Sequence, residues 1–499
     1  MKMALKGDYF NGAWHTSQTT PSENLIKLSP ADLSVELWRA SIWSGHVESV
    51  VDSAVKGFEV WRKLSFDERI VYLRRYQEAV KKRGDEIALA LAWEVGKPLW
   101  EAKTEASALV SKVDVTINDS LKRIQTQTIK DVMPKIDGHT IQKPIGPSLV
   151  IGPFNFPCHL ANGQILSCLL AGNSIIFKPS EKTIGSAQLM FEALVEAGFP
   201  AGVINFINGT GEVSGKLTSH PKIKGIFFTG SRAVGKMILK NTHQDLKKMV
   251  ALELGGKNST IVHHDAHIPH ALPELLRACF LTSGQRCTST SIILIHKKIA
   301  DEFISQFVDV TKKIIVDHPV HTNPFMGPLI DAQAEKLYLD FCAQGLREGA
   351  EELVAAKKLE MAFQGHYVSP SLHYLAKADM KGKFVQEEIF GPNACFFPYE
   401  DLEEALNVVN CTEYGLAASV FTRDQSVFQK CLMEIEAGLV NLNRSTVGAS
   451  ARLPFGGMKD SGNFRPAAVS TIDYCVHTLA SLETTDDTSS KLSDVVGLK

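Results

Sequence analysis

The sequence predicts an α/β protein built from two successive strand–helix alternations, with a small β ribbon set apart from both. Three observations predict it. Over residues 144–253 short apolar runs alternate with helical stretches at 186–197 and 213–217, which argues a parallel sheet with crossover helices. After Gly256 a second alternation continues to about residue 442, with a strand at 292–296 and a helix at 300–315. Between 123 and 143 the period drops to two, through Ile124, Thr126, Thr128 and Val132, with Asp137-Gly138 as the hairpin turn signal.

Taken in order, residues 47–106 come first, where Phe58, Trp61, Ile70, Leu73, Tyr76 and Ile87 recur at helical spacing until Gly96-Lys97-Pro98 breaks the pattern. The ribbon follows, too short to own a core. The first parallel sheet then opens on Ser148-Leu149-Val150-Ile151 and continues through Ile175-Ile176-Phe177-Lys178 and Gly225-Ile226-Phe227-Phe228-Thr229. This arrangement is a dinucleotide-binding architecture. Residues 484–499, rich in Asp, Ser and Thr, read as a flexible tail.

At 499 residues the chain suffices for two or three domains of about 150 residues each. A net charge of −2 gives no drive toward nucleic acid or an anionic membrane, so neither is expected as a partner. Nine cysteines, an odd number without any Cys-x-x-Cys pair, suggest reduced thiols and a cytoplasmic setting. No run approaches the roughly 18 apolar residues of a membrane span.

The most informative stretch is Phe280-Leu281-Thr282-Ser283-Gly284-Gln285-Arg286-Cys287, downstream of Glu253-Leu254-Gly255-Gly256-Lys257-Asn258. A working cysteine needs a polar, partly open setting that stabilises its thiolate, and Glu253 could act as a base toward water. In Gly152-Pro153-Phe154-Asn155-Phe156-Pro157 the Asn155 amide sits on a turn at a strand's carboxyl end, where it could donate to an oxyanion. Lys178-Pro179-Ser180-Glu181 puts a cation and a carboxylate on one loop, which suits a sugar-phosphate ligand. Thr229-Gly230-Ser231-Arg232-Ala233-Val234-Gly235 is a glycine turn entering a helix. Glu387-Glu388-Ile389-Phe390-Gly391-Pro392 and Pro454-Phe455-Gly456-Gly457-Met458-Lys459-Asp460-Ser461-Gly462 complete the set.

Together these motifs resemble the aldehyde dehydrogenase superfamily from Gly12-Ala13-Trp14 to Ser461-Gly462. The resemblance implies a Rossmann-type cofactor domain at 1–122 and 144–256, and a catalytic domain at 257–442 with closing loops at 443–473. It also implies an oligomerisation ribbon at 123–143 and 474–483, and hence a homodimer or homotetramer. By the same carry-over Cys287 attacks an aldehyde and forms a thiohemiacetal, then a thioester that Glu253-activated water hydrolyses. Asn155 and the Cys287 backbone N–H hold the oxyanion. Lys178 and Glu181 hold the adenosine ribose, Gly211, Gly230, Ser231, Val234, Gly235 and Leu254 line the nucleotide, and Glu388 and Phe390 meet the nicotinamide end. NAD is expected over NADP, since the Glu181 carboxylate repels a 2′-phosphate. No metal is expected, and His263-His264-Asp265-Ala266-His267 reads as a solvated connection.

From Asn441 through Arg444, Phe455, Ser461-Gly462-Asn463-Phe464-Arg465-Pro466 and Tyr474-Cys475 the chain is similar to the branch that oxidises N-succinylglutamate 5-semialdehyde in arginine catabolism. Phe464, Ala467 and Arg452 depart from that branch's pattern. Arg444 and Arg465 are candidate carboxylate-binding residues because guanidinium pairs bidentately with carboxylate, and Phe154 and Phe455 are candidate walls. Cys158, beside the Asn155 turn, is a further candidate lining residue. Three other readings stay open: a dehydrogenase for another semialdehyde or a general aldehyde, a coenzyme A-acylating relative, and a non-catalytic binding protein that keeps the fold.

Overall fold

The computed structural model describes all residues except 18–19, 378–379, 486–494 and 498–499, so most of the tail expected at 484–499 lies outside the described residues. The first sheet has seven strands in the spatial order Met249–Glu253, Gly225–Thr229, Ser148–Ile151, Ile175–Lys178, Ile204–Phe206, Asp8–Phe10 and Ala13–His15. The first five run parallel, and the N-terminal hairpin extends them antiparallel. Ser148–Ile151 and Ile175–Lys178 are buried throughout, which is why they read as continuous apolar runs rather than alternating ones. The loops at the carboxyl ends of these strands carry Asn155, Glu181, Gly211 and Gly230, and Glu253 ends the edge strand.

The second sheet also has seven strands, ordered Glu351–Val354, Ser371–Tyr374, Asn393–Tyr399, Thr290–His296, Asn258–Val262, Ala417–Phe421 and Leu439–Leu442. Alternation in Thr290–His296 sends Ile292 and Leu294 into one core and Ile293 and Ile295 into another, so both faces are covered. Helix Ile268–Phe280 and helix Lys297–Thr311 flank it.

The long helical pattern resolves into four helices, Val47–Trp61, Phe66–Lys82, Gly84–Val95 and Leu99–Val115. Besides the expected break at Gly96, the chain restarts at Ser65. Its hydroxyl accepts from Glu68 N–H while the Glu68 carboxylate accepts from Ser65 N–H.

The ribbon joins Gln127–Met133, Ile136–Pro144 and the distant Val476–Thr484 in one three-stranded sheet. Its turn is not at Asp137-Gly138, as the dipeptide suggested. Met133 pairs with Ile136, so Pro134 and Lys135 form the loop, with Lys135 at φ 63°. Asp137 lies within the strand instead, where its carboxylate accepts from Asp131 N–H at 3.1 Å and pairs with Lys130, holding an irregularity at which Asp131 takes φ 46°. An Asp-Gly pair whose carboxylate stabilises a neighbouring bulge leaves the turn to the next residues with space for it.

Candidate active site

Cys287 is delivered by an unusual turn. After helix Ile268–Phe280 the backbone takes left-handed angles at three residues in a row, Thr282 (φ 53°), Ser283 (φ 55°) and Gly284 (φ 70°). Such angles cost on the order of 1–3 kcal/mol at a non-glycine residue, so surrounding bonds must hold them. Glu101 does so, accepting from Thr282 N–H at 3.1 Å and from the Thr282 hydroxyl, while the Ser283 hydroxyl donates to Gly327 O at 2.7 Å. Gly284 has no alternative, because a Cβ there would lie 2.2 Å from Gly391 O. On the far side Asn258 Nδ2 donates to Cys287 O at 2.7 Å, and a Cβ on Gly256 would meet that carbonyl at 2.4 Å.

Cys287 and Asn155 each line two cavities that meet at them, one of about 260 Å³ and one of about 590 Å³. Asn155 uses one Nδ2 proton on Gln285 O at 2.8 Å and has a second to give. Its backbone carbonyl accepts from the buried Lys97 ammonium at 2.7 Å, and Lys97 pairs with buried Glu105 at 2.6 Å. Glu105 also accepts from the N–H groups of Cys158 and His159, and Glu101 pairs with Arg286 at 2.6 Å. A closed set of charges thus pins both loops.

The Cys287 thiol is half-buried. Burial pushes it up to about 12, with Glu388 and Glu253 adding to the rise and Arg286 opposing. Glu253 is buried and its carboxyl is likewise held well above the usual range by desolvation, against one hydrogen bond from Ala467 N–H at 3.2 Å. Its Oε2 is buried without a hydrogen-bond partner, and Glu253 lines the larger cavity. Glu388, accepting from Gly256 N–H at 2.9 Å, is pushed up to about 7 by burial.

The larger cavity gathers Lys178, Glu181, Gly211, Gly230, Ser231, Val234, Leu254, Glu388, Phe390 and Phe154. Gly235 backs it, since a Cβ there would meet Leu254 Cδ2 at 2.7 Å. Buried Lys178 donates to the carbonyls of Pro179 and Gly209 at 2.6 Å and stands 4.0 Å from Glu181. A Cβ at Gly211 or Gly215 would meet no protein atom, so these glycines keep the floor clear for a long ligand. Ser231 caps helix Arg232–Thr242, whose N-terminus offers N–H groups to a phosphate. The residues present therefore fit a dinucleotide.

The structure places the remaining candidates as follows. Arg444 is exposed and Arg465 donates to Asn463 O, and neither lines either of these two cavities. Arg452 pairs with Asp119 at 3.0 Å. Phe154 sits on the larger cavity against Phe390, at a ring-centroid distance of 5.7 Å, while Phe455 does wall the smaller one. Cys158 is fully buried with its thiol on Ser186 O, away from both. His263, His264 and Asp265 come within 4.8 Å, but the Asp265 carboxylate is spent on Thr422 and Arg423 N–H and His263 Nδ1 meets Tyr399 Oη. The residues missed in sequence are Glu101, Glu105 and Lys112. Their spacing of four and seven puts three charges on the inward face of helix Leu99–Val115, and that pattern was readable.

Residues 14–478 match the aldehyde dehydrogenase family, and the chain belongs to it. It is an aldehyde-oxidising oxidoreductase of a family that works with a nicotinamide cofactor. It is similar to an N-succinylglutamate 5-semialdehyde dehydrogenase of Burkholderia cenocepacia (strain HI2424), 36% identical over 485 residues that cover 96% of each chain. Among solved structures it resembles a 1-pyrroline-5-carboxylate dehydrogenase from Thermus with bound NAD (TM-score 0.89, 27% identity, 96% of this chain and 93% of that one). It also resembles an NADP-dependent enzyme of E. coli (TM-score 0.90, 29% identity, 96% and 98% covered). Among the described residues no helix is long and apolar enough to cross a membrane.

Proposed function

We propose that the protein oxidises a carboxylate-bearing semialdehyde to the acid with NAD, and that the substrate is N-succinylglutamate 5-semialdehyde, giving N-succinylglutamate. The observation that carries this reading is that Cys287 and Asn155 line both cavities, so a small aldehyde and a dinucleotide entering from opposite sides would meet at one thiol. The likeness to the Burkholderia enzyme supports the substrate.

The Cys287 thiol releases its proton to solvent and its sulfur bonds the aldehyde carbon, sending the C=O electron pair to oxygen. The free Nδ2 proton of Asn155 and the Cys287 N–H receive that oxyanion. A bound nicotinamide supplies a two-electron hydride acceptor. After hydride loss the acyl group remains on Cys287 as a thioester, and Glu253 takes a proton from the attacking water, so that the acid leaves and the thiol returns. Glu253 suits this role because it lines the cavity and one of its carboxylate oxygens has no hydrogen-bond partner. Lys178 and Glu181 would hold the adenosine ribose, with Gly211, Gly230, Ser231, Val234, Gly235 and Leu254 around the rest of the nucleotide and Glu388 and Phe390 at its nicotinamide end.

Residues 1–122 and 144–256 act as the cofactor domain and 257–442 as the catalytic domain, with 443–473 closing over the site. The ribbon of 123–143 and 474–483 assembles a homo-oligomer, its exposed Ile129, Val132, Met133 and Leu482 supplying the apolar surface. Nine free cysteines suit a reducing, cytoplasmic setting.

The test is NAD reduction with N-succinylglutamate 5-semialdehyde against propanal, with Cys287→Ala as the blank. Strong preference for the dicarboxylate, abolished in the variant, is expected, while equal kcat/KM for both aldehydes overturns the substrate. For the cofactor, Glu181→Ala is expected to improve kcat/KM for NADP; no improvement would remove Glu181 from that role.

A further inference from the structure

We propose that Lys112, with the Thr471 hydroxyl and the His159 imidazole, forms a carboxylate-binding subsite in the smaller cavity that selects the anionic end of the substrate. This rests on the reading of the substrate as a carboxylate-bearing semialdehyde. It supplies the recognition that Arg444 and Arg465, outside the cavity, do not.

All three residues line the cavity that Cys287 and Asn155 close. Lys112 is 2% exposed, and its ammonium donates to one acceptor, Ala468 O at 3.0 Å. An ammonium has three protons to give, so two remain. The other two cations nearby are already neutralised, Lys97 by Glu105 and Arg286 by Glu101, each at 2.6 Å. Among the described residues Lys112 has no carboxylate partner. A buried cation without a counter-ion is costly, and desolvation pushes this one down to about 8, so an anion arriving in the cavity would relieve a penalty the fold already carries.

The cavity wall supplies matching groups. Thr471 Oγ1 and His159 Nδ1 are buried without hydrogen-bond partners, and each can donate to a carboxylate oxygen. Gln164 Oε1, on the same wall, is an acceptor without a donor, which suits an amide N–H lying between the aldehyde and the carboxylate. Space is kept for the lysine as well: a Cβ on Gly163 would stand 3.3 Å from Lys112 Cε.

The experiment compares kcat/KM for N-succinylglutamate 5-semialdehyde with that for hexanal in wild type, Lys112→Met and Thr471→Val, with NAD binding followed by fluorescence to report folding. A charge-assisted contact predicts that the dicarboxylate-to-hexanal ratio falls about 10- to 100-fold in Lys112→Met, mainly through KM, and falls less in Thr471→Val. A wild type that prefers the dicarboxylate and a Lys112→Met that keeps the ratio would overturn the subsite alone. A wild type with no preference would overturn the substrate reading together with it. Should Lys112→Met fail to bind NAD, Thr471→Val decides, and an unchanged ratio there sinks the proposal.

Discussion

Cys287 faces two opposed demands, since it must sit in a closed site to exclude water from the hydride step and yet ionise to attack. The structure favours closure: burial, Glu388 and Glu253 push the thiol up to about 12, against Arg286 and a backbone hydrogen bond at Cys287. Because attack needs the thiolate, activity should climb with pH through the neutral range and beyond the ordinary cysteine value of about 8.5, not level off there. Glu388 gives the sign of one variant. With its own carboxyl near 7 it is largely anionic at pH 8, and an anion beside the thiol raises the thiol. Glu388→Gln should therefore speed iodoacetamide alkylation of Cys287 at pH 8 by up to about ten-fold, the equivalent of about one pKa unit. Unchanged or slower alkylation would mean that Glu388 does not bear on the thiol.

At the scale of elements, helix Leu99–Val115 positions more of the site than its sequence announces. Through Glu101 it steadies the left-handed turn before Cys287, through Glu105 and Lys97 it holds the Asn155 loop, and through Lys112 it enters the smaller cavity. Removing one partner of a fully buried pair leaves the other charge uncompensated. Lys97→Met should thus cost about 3–5 kcal/mol, lower the thermal unfolding midpoint and reduce kcat as the Asn155 loop loses its anchor. Lys222→Met, which breaks an exposed pair with Asp52, should leave the thermal unfolding midpoint nearly unchanged. Equal effects would show that the buried pair does not anchor the loop. The strands around the site were legible because buried parallel strands are unbroken apolar runs, and the catalytic motifs were legible because their loops follow those runs directly. The charged face of helix Leu99–Val115 was readable as a pattern, but the partners of its charges were not, because Glu101 meets Arg286 across 185 residues of chain. No local pattern in Arg286 tells that Glu101 has already taken its charge.

Over the whole molecule, two parallel-rich sheets each bury both faces, and their meeting leaves the two cavities joined at Cys287. The ribbon stands apart, with Ile129 61% exposed and Leu482 59% exposed on a sheet that has little core of its own. Such apolar exposure suits burial against another copy. Replacing Ile129 and Leu482 together by glutamate should lower the mass seen by light scattering, and an unchanged mass would put the subunit contact elsewhere. The ribbon's hairpin could be read from the alternation of period two, whereas its third strand was expected only from the family resemblance, since Val476–Thr484 arrives from more than 300 residues away. The arginines were misplaced for the same reason. Their chemistry suits a carboxylate, but only the packing of helix Leu99–Val115 against the loop carrying Ala467 and Ala468 decides which cation faces the substrate.

The central claim is that Cys287 carries the acyl group and Glu253 sends water to remove it. The most direct measurement is the intact mass of Glu253→Gln after one equivalent each of N-succinylglutamate 5-semialdehyde and NAD. The account predicts that the acyl adduct accumulates on Cys287 and is absent from the Cys287→Ala, Glu253→Gln double variant. No adduct in Glu253→Gln, or an adduct that survives loss of Cys287, would contradict it.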